Sequence, residues 1–427
     1  MQQGFNITAA DAAAHSEIGN RGVILDRVAW LCGDKNRALT MPGLPALKPF
    51  DDGVVELLNA LSRRLMRMPE AKAYPDVVTL GFWCRKASVL GLKGRFASGL
   101  DDDDIVVGRG VAFHIAPSNV PVNYAYSLVA GLLTGNANVV RIPSREFPQV
   151  DIINRALNEV LEDYPELAPY ICLVRYERNQ EINDVFSAMA DTRIIWGGDS
   201  TIEEIRKSPL GPRAGEVTFA DRYSLAVIDS GAYLAVADKK RLAEDFYNDT
   251  FLTDQNACTS PRVVVWLGDD DTVRRAQDEF WDLEHDLVKE KYTFQPIMGV
   301  NKLTSGYLAA AVLGGETIRV IPAEDNLIVR VAVSKAALTP ALMDLRDNSG
   351  YFYEYTCSDV MDLRDICNDT HCQTIAYLGD REVLMPLLTS GIKGVDRVVP
   401  IGKTMDFDLI WDGYNLVERL TRRVRVG

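Results

Sequence analysis

The chain has 427 residues, 47% of them hydrophobic, 25% charged and 8% aromatic, enough for two or three domains whose own cores need neither disulfides nor metal to fold. Sixty acidic residues against 46 basic ones leave a net charge of −14, which excludes a surface built to neutralise nucleic-acid phosphates or anionic lipid, though not a local basic pocket for a phosphate-bearing cofactor. Seven irregularly spaced cysteines without a CxxC pair exclude a disulfide framework and suit a reducing cytoplasm, and the N-terminal stretch lacks the basic and apolar regions of a secretory signal.

The first hundred residues read as mainly helical. GVVELLNALSRRLMRM (53–68) sets Val54, Leu57, Leu58, Leu61 and Leu65 on one helical face. The acidic run 101–104 is expected to be a solvated turn, because consecutive carboxylates do not converge on an ion. From 111 to 140 the chain carries no Asp, Glu, Lys or Arg, a length that could span a membrane. Pro117, Ser118, Asn119, Pro121 and Asn123 interrupt it, and Gly135–Asn138 interrupt it again, so the pattern predicts strand, loop, buried helix, turn and strand inside a protein. That places a strand region over 105–116 and a helix over 121–135, with Pro121 in its first turn and Gly135 past its end. A strand is predicted over 138–142, an amphipathic helix over 148–163, and strands over 171–176, 192–196 and 224–229. Apolar strands alternating with helices mean a parallel sheet covered on both faces. In WGGDSTIEEIR a strand ends at Gly197–Gly198 and a helix starts at Ser200, with Glu203 completing a capping box. A second set follows: helices over 238–253 and 272–290, a strand over 262–267, a mixed region to 333, then TIAYLG, a helical REVLMPLLTSG and DRVVPIG. LVERLTRRVRVG reads as an exposed helix or edge strand, or as a tail packed at a subunit interface.

Three places could carry chemistry. Cys258, in TDQNACTSPRVVVW, sits in a small polar loop before a strand, where backbone amides can stabilise a thiolate; an inert, half-buried thiol is the alternative. Cys32, Cys84 and Cys172 lie in apolar runs and read as core. The spacing of Cys357, Cys367, His371 and Cys372 matches no zinc pattern, so no metal is expected. Asn119 in HIAPSNVP is placed either to donate to a developing oxyanion or to cap a turn. The helix start after Gly197 and Gly198 offers free amides to a pyrophosphate, against the charges of Asp199, Glu203 and Glu204.

In their order, GVAFHIAPSNVPVNYAYSLVAGLLTGNANVVRIPS, IIWGGDSTIEEIR and DQNACTSPRVVV resemble the aldehyde dehydrogenase superfamily: its oxyanion-asparagine stretch, its Gly-rich cofactor loop and its nucleophilic cysteine. FADRYSLAVID, DQNACTSPR, CQTIAYLG and GVDRVVPIGKTMDFDLIWDGYNLVERLTRRVRV resemble its luminescence-type long-chain acyl-CoA reductases, from about residue 50 to the end. The resemblance implies an α/β fold with two Rossmann-like parallel-sheet domains and a small oligomerisation element. Residues 1–223 would hold the helical start and dinucleotide-binding domain, 224–403 the catalytic domain, and 404–427 a tail returning to the cofactor domain or forming a subunit contact. Cys258 would be the nucleophile, with Asn119 and the Cys258 amide as oxyanion donors. Ala116, Pro117, Ser118, Arg141, Gly197, Gly198 and Ser200 would contact the cofactor, and Glu354 its nicotinamide ribose. Arg141 stands where the superfamily usually has Lys; a guanidinium can fork onto a 2′-phosphate, which favours NADP over NAD. FADRYS (219–224) lacks the glutamate of the ELGGK motif that activates water in aldehyde oxidation, although Glu216 is three residues away. The implied activity is NADPH-dependent reduction of a fatty acyl-CoA, or an acyl-enzyme thioester, to the aldehyde. Aldehyde oxidation and a non-catalytic acyl-carrying scaffold are the alternatives. Implied partners are the coenzyme A thioester, an acyl-activating protein and a second copy of the chain, with no nucleic acid and no membrane span.

Overall fold

Apolar runs and amphipathic helices alternate so as to build two parallel sheets, one in each of two units. The computed structural model describes residues 20–97, 104–118 and 120–426. One unit comprises Met1–Ala220 and Tyr414–Gly427, the other Asp221–Gly413.

In the first unit, α1 (Asp52–Arg67) starts where the Asp51 carboxylate accepts the N–H groups of Gly53 and Val54, and it buries Val54, Leu57, Leu58, Leu61 and Leu65. The strands are β1 (Ala29–Cys32), β2 (Asp104–Gly108), β3 (Val111–Ile115), β4 (Ala137–Arg141), β5 (Ile171–Arg175), β6 (Thr192–Trp196) and β7 (Gly215–Phe219). Six of them form a sheet in the order β1-β5-β4-β3-β6-β7, with β1 antiparallel to its neighbour. The helices between them include α2 (Asn123–Leu133), α3 (Pro148–Leu161), α4 (Gln180–Met189) and α5 (Asp199–Arg206). Successive strands β3, β4 and β5 step one way and β6 and β7 the other. The order therefore reverses between β3 and β6, the kind of switch point beside which ligands bind in open α/β sheets.

The uncharged stretch 111–140 becomes β3, α2 and β4, almost wholly buried. Several of its polar groups are paired inside. The His114 ring contacts Ser127 Oγ at 2.7 Å and Asn138 Oδ1 at 3.0 Å. Burial pushes the imidazole down to about 4, so it is neutral at pH 7. Gly131 admits this arrangement, since a Cβ there would lie 1.9 Å from Asn138 Oδ1. Among the described residues no helix is long and apolar enough to cross a membrane.

Several sequence expectations shift. The strand expected over 105–116 breaks at Arg109–Gly110, whose N–H groups are both accepted by Asn136 Oδ1. Gly110 has φ +137°, and a Cβ would strike the Asp191 carboxylate. β3 enters the main sheet while β2 leaves it, pairing antiparallel with the terminal strand Thr421–Arg425. Pro121 stands before α2, whose N-cap is Val122. The Ser200–Glu203 capping box is absent: α5 begins at Asp199 with Gly198 as its N-cap, two residues before Ser200, and has no side-chain cap. Strands β1 and β7 have no counterpart in the sequence reading. Of the acidic turn, residues 101–103 lie outside the described residues.

The second unit contains β8 (Tyr223–Asp229), β9 (Pro261–Leu267), β10 (Ile318–Val320), β11 (Val329–Val333), β12 (Tyr351–Cys357), β13 (Cys372–Leu378) and β14 (Arg397–Pro400), in the order β10-β11-β12-β9-β8-β13-β14. All neighbours are parallel except β10 and β11. Its longer helices are α6 (Lys239–Thr250), α7 (Asp270–Lys291) and α8 (Pro296–Leu313). Alternate residues of the central strands feed two cores: Leu225, Val227, Val263 and Val265 on one face, Ala226, Ile228, Val264 and Trp266 on the other. Burial on both faces is why these strands read as unbroken apolar runs. REVLMPLLTSG forms a 3₁₀ turn and a four-residue helix in place of one longer helix.

Candidate active site

Cys258 lies in the loop that leads into β9. Two left-handed residues open that loop, Asp254 (φ +52°) and Gln255 (φ +57°). The buried Gln255 amide then pins it. Gln255 Nε2 donates to the carbonyls of Pro261 (3.0 Å) and Tyr351 (3.2 Å), and its Oε1 accepts the N–H groups of Gly350 (2.8 Å) and Tyr351 (3.2 Å). Ser224 Oγ donates to the Cys258 carbonyl at 2.8 Å. All seven cysteines are free; six are buried and Cys258 is half-buried. The loop is therefore held by its own Gln255 side chain, bonded to backbone at β9 and β12, and by Ser224 of β8, with one partly accessible thiol on it.

The surroundings of that thiol are polar. Gln373 Nε2 lies 3.6 Å from Sγ and also donates to Asp412 Oδ1. Arg222 is paired with Asp396, and Asp221 with Arg346. Burial, and next the Asp412 carboxylate, push the Cys258 thiol up to about 12; the Gln373 N–H and the Arg222 cation act in the opposite direction. At rest the sulfur is a protonated, desolvated thiol. Burial likewise raises Asp412 to about 6, against the pull of Arg222.

In the first unit, the ends of β3 and β6 carry Ala116, Pro117, Ser118, Gly197 and Gly198, with Ser118 exposed. The Ala116 N–H donates to the Arg141 carbonyl at 3.0 Å, and the Gly197 N–H to that of Phe219 at 3.1 Å. Arg141 and Ser200 share a cavity of about 330 Å³ with Arg178, Asn179, Thr201 and Glu204. The Arg141 guanidinium sits over the Tyr176 ring at 4.5 Å and donates to the Tyr176 carbonyl. Two guanidiniums and the hydroxyls at the start of α5 are a donor set that fits a phosphate; Glu204 opposes it and is itself paired with Lys207. Arg178 escaped the sequence reading. Its signal was the basic position in RYERN just past the carboxyl end of β5.

Two glutamates prove to be committed elsewhere. Glu354 is 2% exposed in the middle of β12. Its Oε1 accepts the indole N–H groups of Trp266 and Trp281, both at 2.7 Å, and its Oε2 accepts Nε (3.0 Å) and Nη2 (2.8 Å) of Arg330. Four donors fill the four acceptor positions of a carboxylate, which leaves none for a ribose hydroxyl. The nicotinamide-ribose role expected for Glu354 is corrected on that ground. Glu216 on β7 is likewise held, by Arg193 at 2.5 Å and Arg206 at 2.7 Å, and is not a free base. Asn119 lies outside the described residues. Among the described residues no three His, Cys, Asp or Glu side chains are grouped to hold a metal ion.

Residues 102–284 match the family model for acyl-CoA reductase (LuxC). Long-chain acyl-protein thioester reductase from Aliivibrio fischeri is 25% identical over 163 residues, which is 38% of this chain and 33% of the relative. The matched stretch thus spans about a third of that relative's length. Among solved structures, glyceraldehyde-3-phosphate dehydrogenase from Methanocaldococcus jannaschii, in complex with NADP, superposes with a TM-score of 0.62 at 11% identity, covering 96% of this chain and 94% of that one. The NAD-dependent benzaldehyde dehydrogenase from Corynebacterium glutamicum gives 0.58 at 15% identity, covering 96% and 90%. The chain has the aldehyde dehydrogenase fold and, over residues 102–284, resembles the acyl-CoA reductase (LuxC) family in sequence.

Proposed function

We propose that this protein reduces a long-chain acyl thioester to the aldehyde with a nicotinamide cofactor, and that Cys258 carries the acyl group. The observation that supports this most is the setting of Cys258: a half-buried thiol on a loop pinned by Gln255, in a chain whose other six cysteines are buried. A soft sulfur nucleophile exchanges with a thioester carbonyl: the Cys258 S–C bond forms, the donor's S–C bond breaks, and the thiol proton of Cys258 leaves with the departing sulfur. Partial burial of the sulfur disfavours hydrolysis of the acyl-enzyme. Asn119 and the Cys258 amide are the proposed oxyanion donors, a role that rests on the resemblance. Arg141, Arg178 and Ser200 would hold a cofactor phosphate, so NADP is the proposed form. When bound, the nicotinamide supplies the hydride.

The relatives are named for acyl-protein thioesters and the family for acyl-CoA, so the proposed donor is the shared thioester, carried by coenzyme A or by a protein. Aldehyde oxidation to the acid is the weaker reading, because FADRYS offers no glutamate and Glu216 is bound between two arginines. The test incubates the protein, without cofactor, with a palmitoyl-CoA donor or a palmitoylated protein, and weighs the intact chain. An added palmitoyl mass that disappears in Cys258→Ala is expected. Acylation that survives that substitution, or its absence with both donors, overturns the reading.

A further inference from the structure

Gln373 occupies an irregular point of the sheet: the register between β13 and β8 slips between Cys372 and Thr374, so Gln373 is the extra residue of a bulge. Bulges re-aim side chains, and this one directs a buried carboxamide at Cys258. Its Nε2 lies 3.6 Å from Sγ and also donates to Asp412, while its Oε1 is buried without a partner. Asp412 is held there by a backbone that a non-glycine residue rarely adopts, φ +50°, followed by Gly413 at φ +71° in an Asp-Gly turn.

We infer that Gln373 is the positioning residue of the Cys258 nucleophile, and that Asp412 determines which end of its amide meets the sulfur. The inference rests on Cys258 being the nucleophile proposed above. A carboxylate can only accept, so Asp412 takes an N–H and the amide nitrogen must turn toward it. That nitrogen carries a second N–H, which faces the sulfur and stabilises the thiolate as it forms. The reversed amide would set Oε1 against the carboxylate and against the sulfur lone pairs. The orphaned Oε1 is the cost of the orientation observed. The charged groups acting on the pair are Asp221, Arg222, Arg262, Arg397 and Asp396. Of these, Arg222 is paired with Asp396 and Asp221 with Arg346, Arg262 donates to the Asp347 carbonyl, and the Arg397 guanidinium sits 4.1 Å over the Trp411 ring.

Charge and orientation make opposite forecasts for Asp412→Asn. Removing a negative charge near the sulfur favours the thiolate. Replacing the carboxylate by an amide, which can donate to Gln373 Oε1, frees Gln373 to turn its oxygen to the sulfur. The experiment alkylates Cys258 of the full chain with iodoacetamide between pH 7 and 10, reads the rate by intact mass, and follows thermal denaturation in parallel. We expect Asp412→Asn to slow alkylation about fivefold or more and to move its pH profile upward, with the melting temperature near wild type. Alkylation that is unchanged or faster overturns the inference. Should Asp412→Asn not fold, Gln373→Met, which keeps the shape and removes the donor, must slow alkylation by a similar factor; an unchanged or faster rate is equally fatal. Neither reading needs an acyl donor or cofactor, so failure of the acylation test strikes the proposed function and leaves this result legible.

Discussion

Glu354 and Glu284 belong to the same unit and both lie among the aromatic residues of α7, yet they are opposite cases. Glu354 has a donor for every lone pair, from Trp266, Trp281 and Arg330. Glu284, fully buried on α7, has neither oxygen paired. For Glu354, removing the charge deprives the half-buried Arg330 of its ion-pair partner and sets an amide N–H against the surrounding donors, a change that typically costs about 1–3 kcal/mol. Glu354→Gln should therefore lower stability in chemical denaturation by about that amount and, under the proposed function, leave KM for the nicotinamide cofactor unchanged in the folded fraction. A raised KM with wild-type stability would return the residue to the cofactor site. For Glu284, burial, and next Glu244, raise the carboxyl well above its usual value of 4.5. The folded state then holds a proton that the unfolded chain releases. The stability it contributes is full below about pH 4.5 and is lost as pH rises toward the folded value. Glu284→Gln removes this dependence, so the melting temperature of the variant should exceed that of wild type by a margin that grows from pH 5 to pH 8.

The residue scale also shows what was legible in the sequence. Cys258 stood out because small polar residues before an apolar strand announce a loop, and it lies half-buried on one. Glu354 misled because its partners Trp266 and Trp281 are 88 and 73 residues away in the chain, and no local pattern reveals a carboxylate saturated by distant donors.

At the scale of elements, strands carrying an apolar run were readable, the half-exposed β2 and β14 included, and others, such as the buried β12, were not. β4, β5, β6, β8 and β9 are unbroken apolar runs, whereas β7 has Glu216 and Thr218 on its half-exposed side and β12 interrupts its aromatics with Glu354. β1 has four residues, too few for a period to appear. The start of α5 escaped for another reason: Ser-x-x-Glu spacing is only a capping box if the serine is the N-cap, and the turn at Gly198 comes sooner. Helices α4 and α5, with the ends of β4 and β5, frame the cavity shared by Arg141 and Arg178. If this cavity takes the 2′-phosphate, Arg141→Gln and Arg178→Gln should each raise KM for NADPH about tenfold, roughly 1.4 kcal/mol of binding, and change KM for NADH less than twofold. Equal effects on both cofactors would move the phosphate site elsewhere.

At the scale of the whole molecule, the second unit is an insertion: the first unit's chain leaves at Ala220 and resumes at Tyr414. The resumed segment gives the strand Thr421–Arg425, whose partner β2 lies more than three hundred residues earlier, and the Leu420 carbonyl accepts Asn136 Nδ2 at 2.9 Å. A chain ending at Leu420 should keep the second unit's amide protection intact. In hydrogen exchange it should lose protection at 105–108, and an unchanged exchange pattern there would mean the pairing adds nothing to the unit.

This pairing also orders events during synthesis. β2 emerges from the ribosome early, and the edge that residues 421–425 will cover stays open until those residues are made. A basic strand, with arginines at 422, 423 and 425, thus returns late to an edge that begins at Asp104. Arg423 meets the Asp104 carboxylate at 3.1 Å. In a nascent chain stalled just before residue 421, that open strand edge is where a chaperone or a second chain would find its first hold.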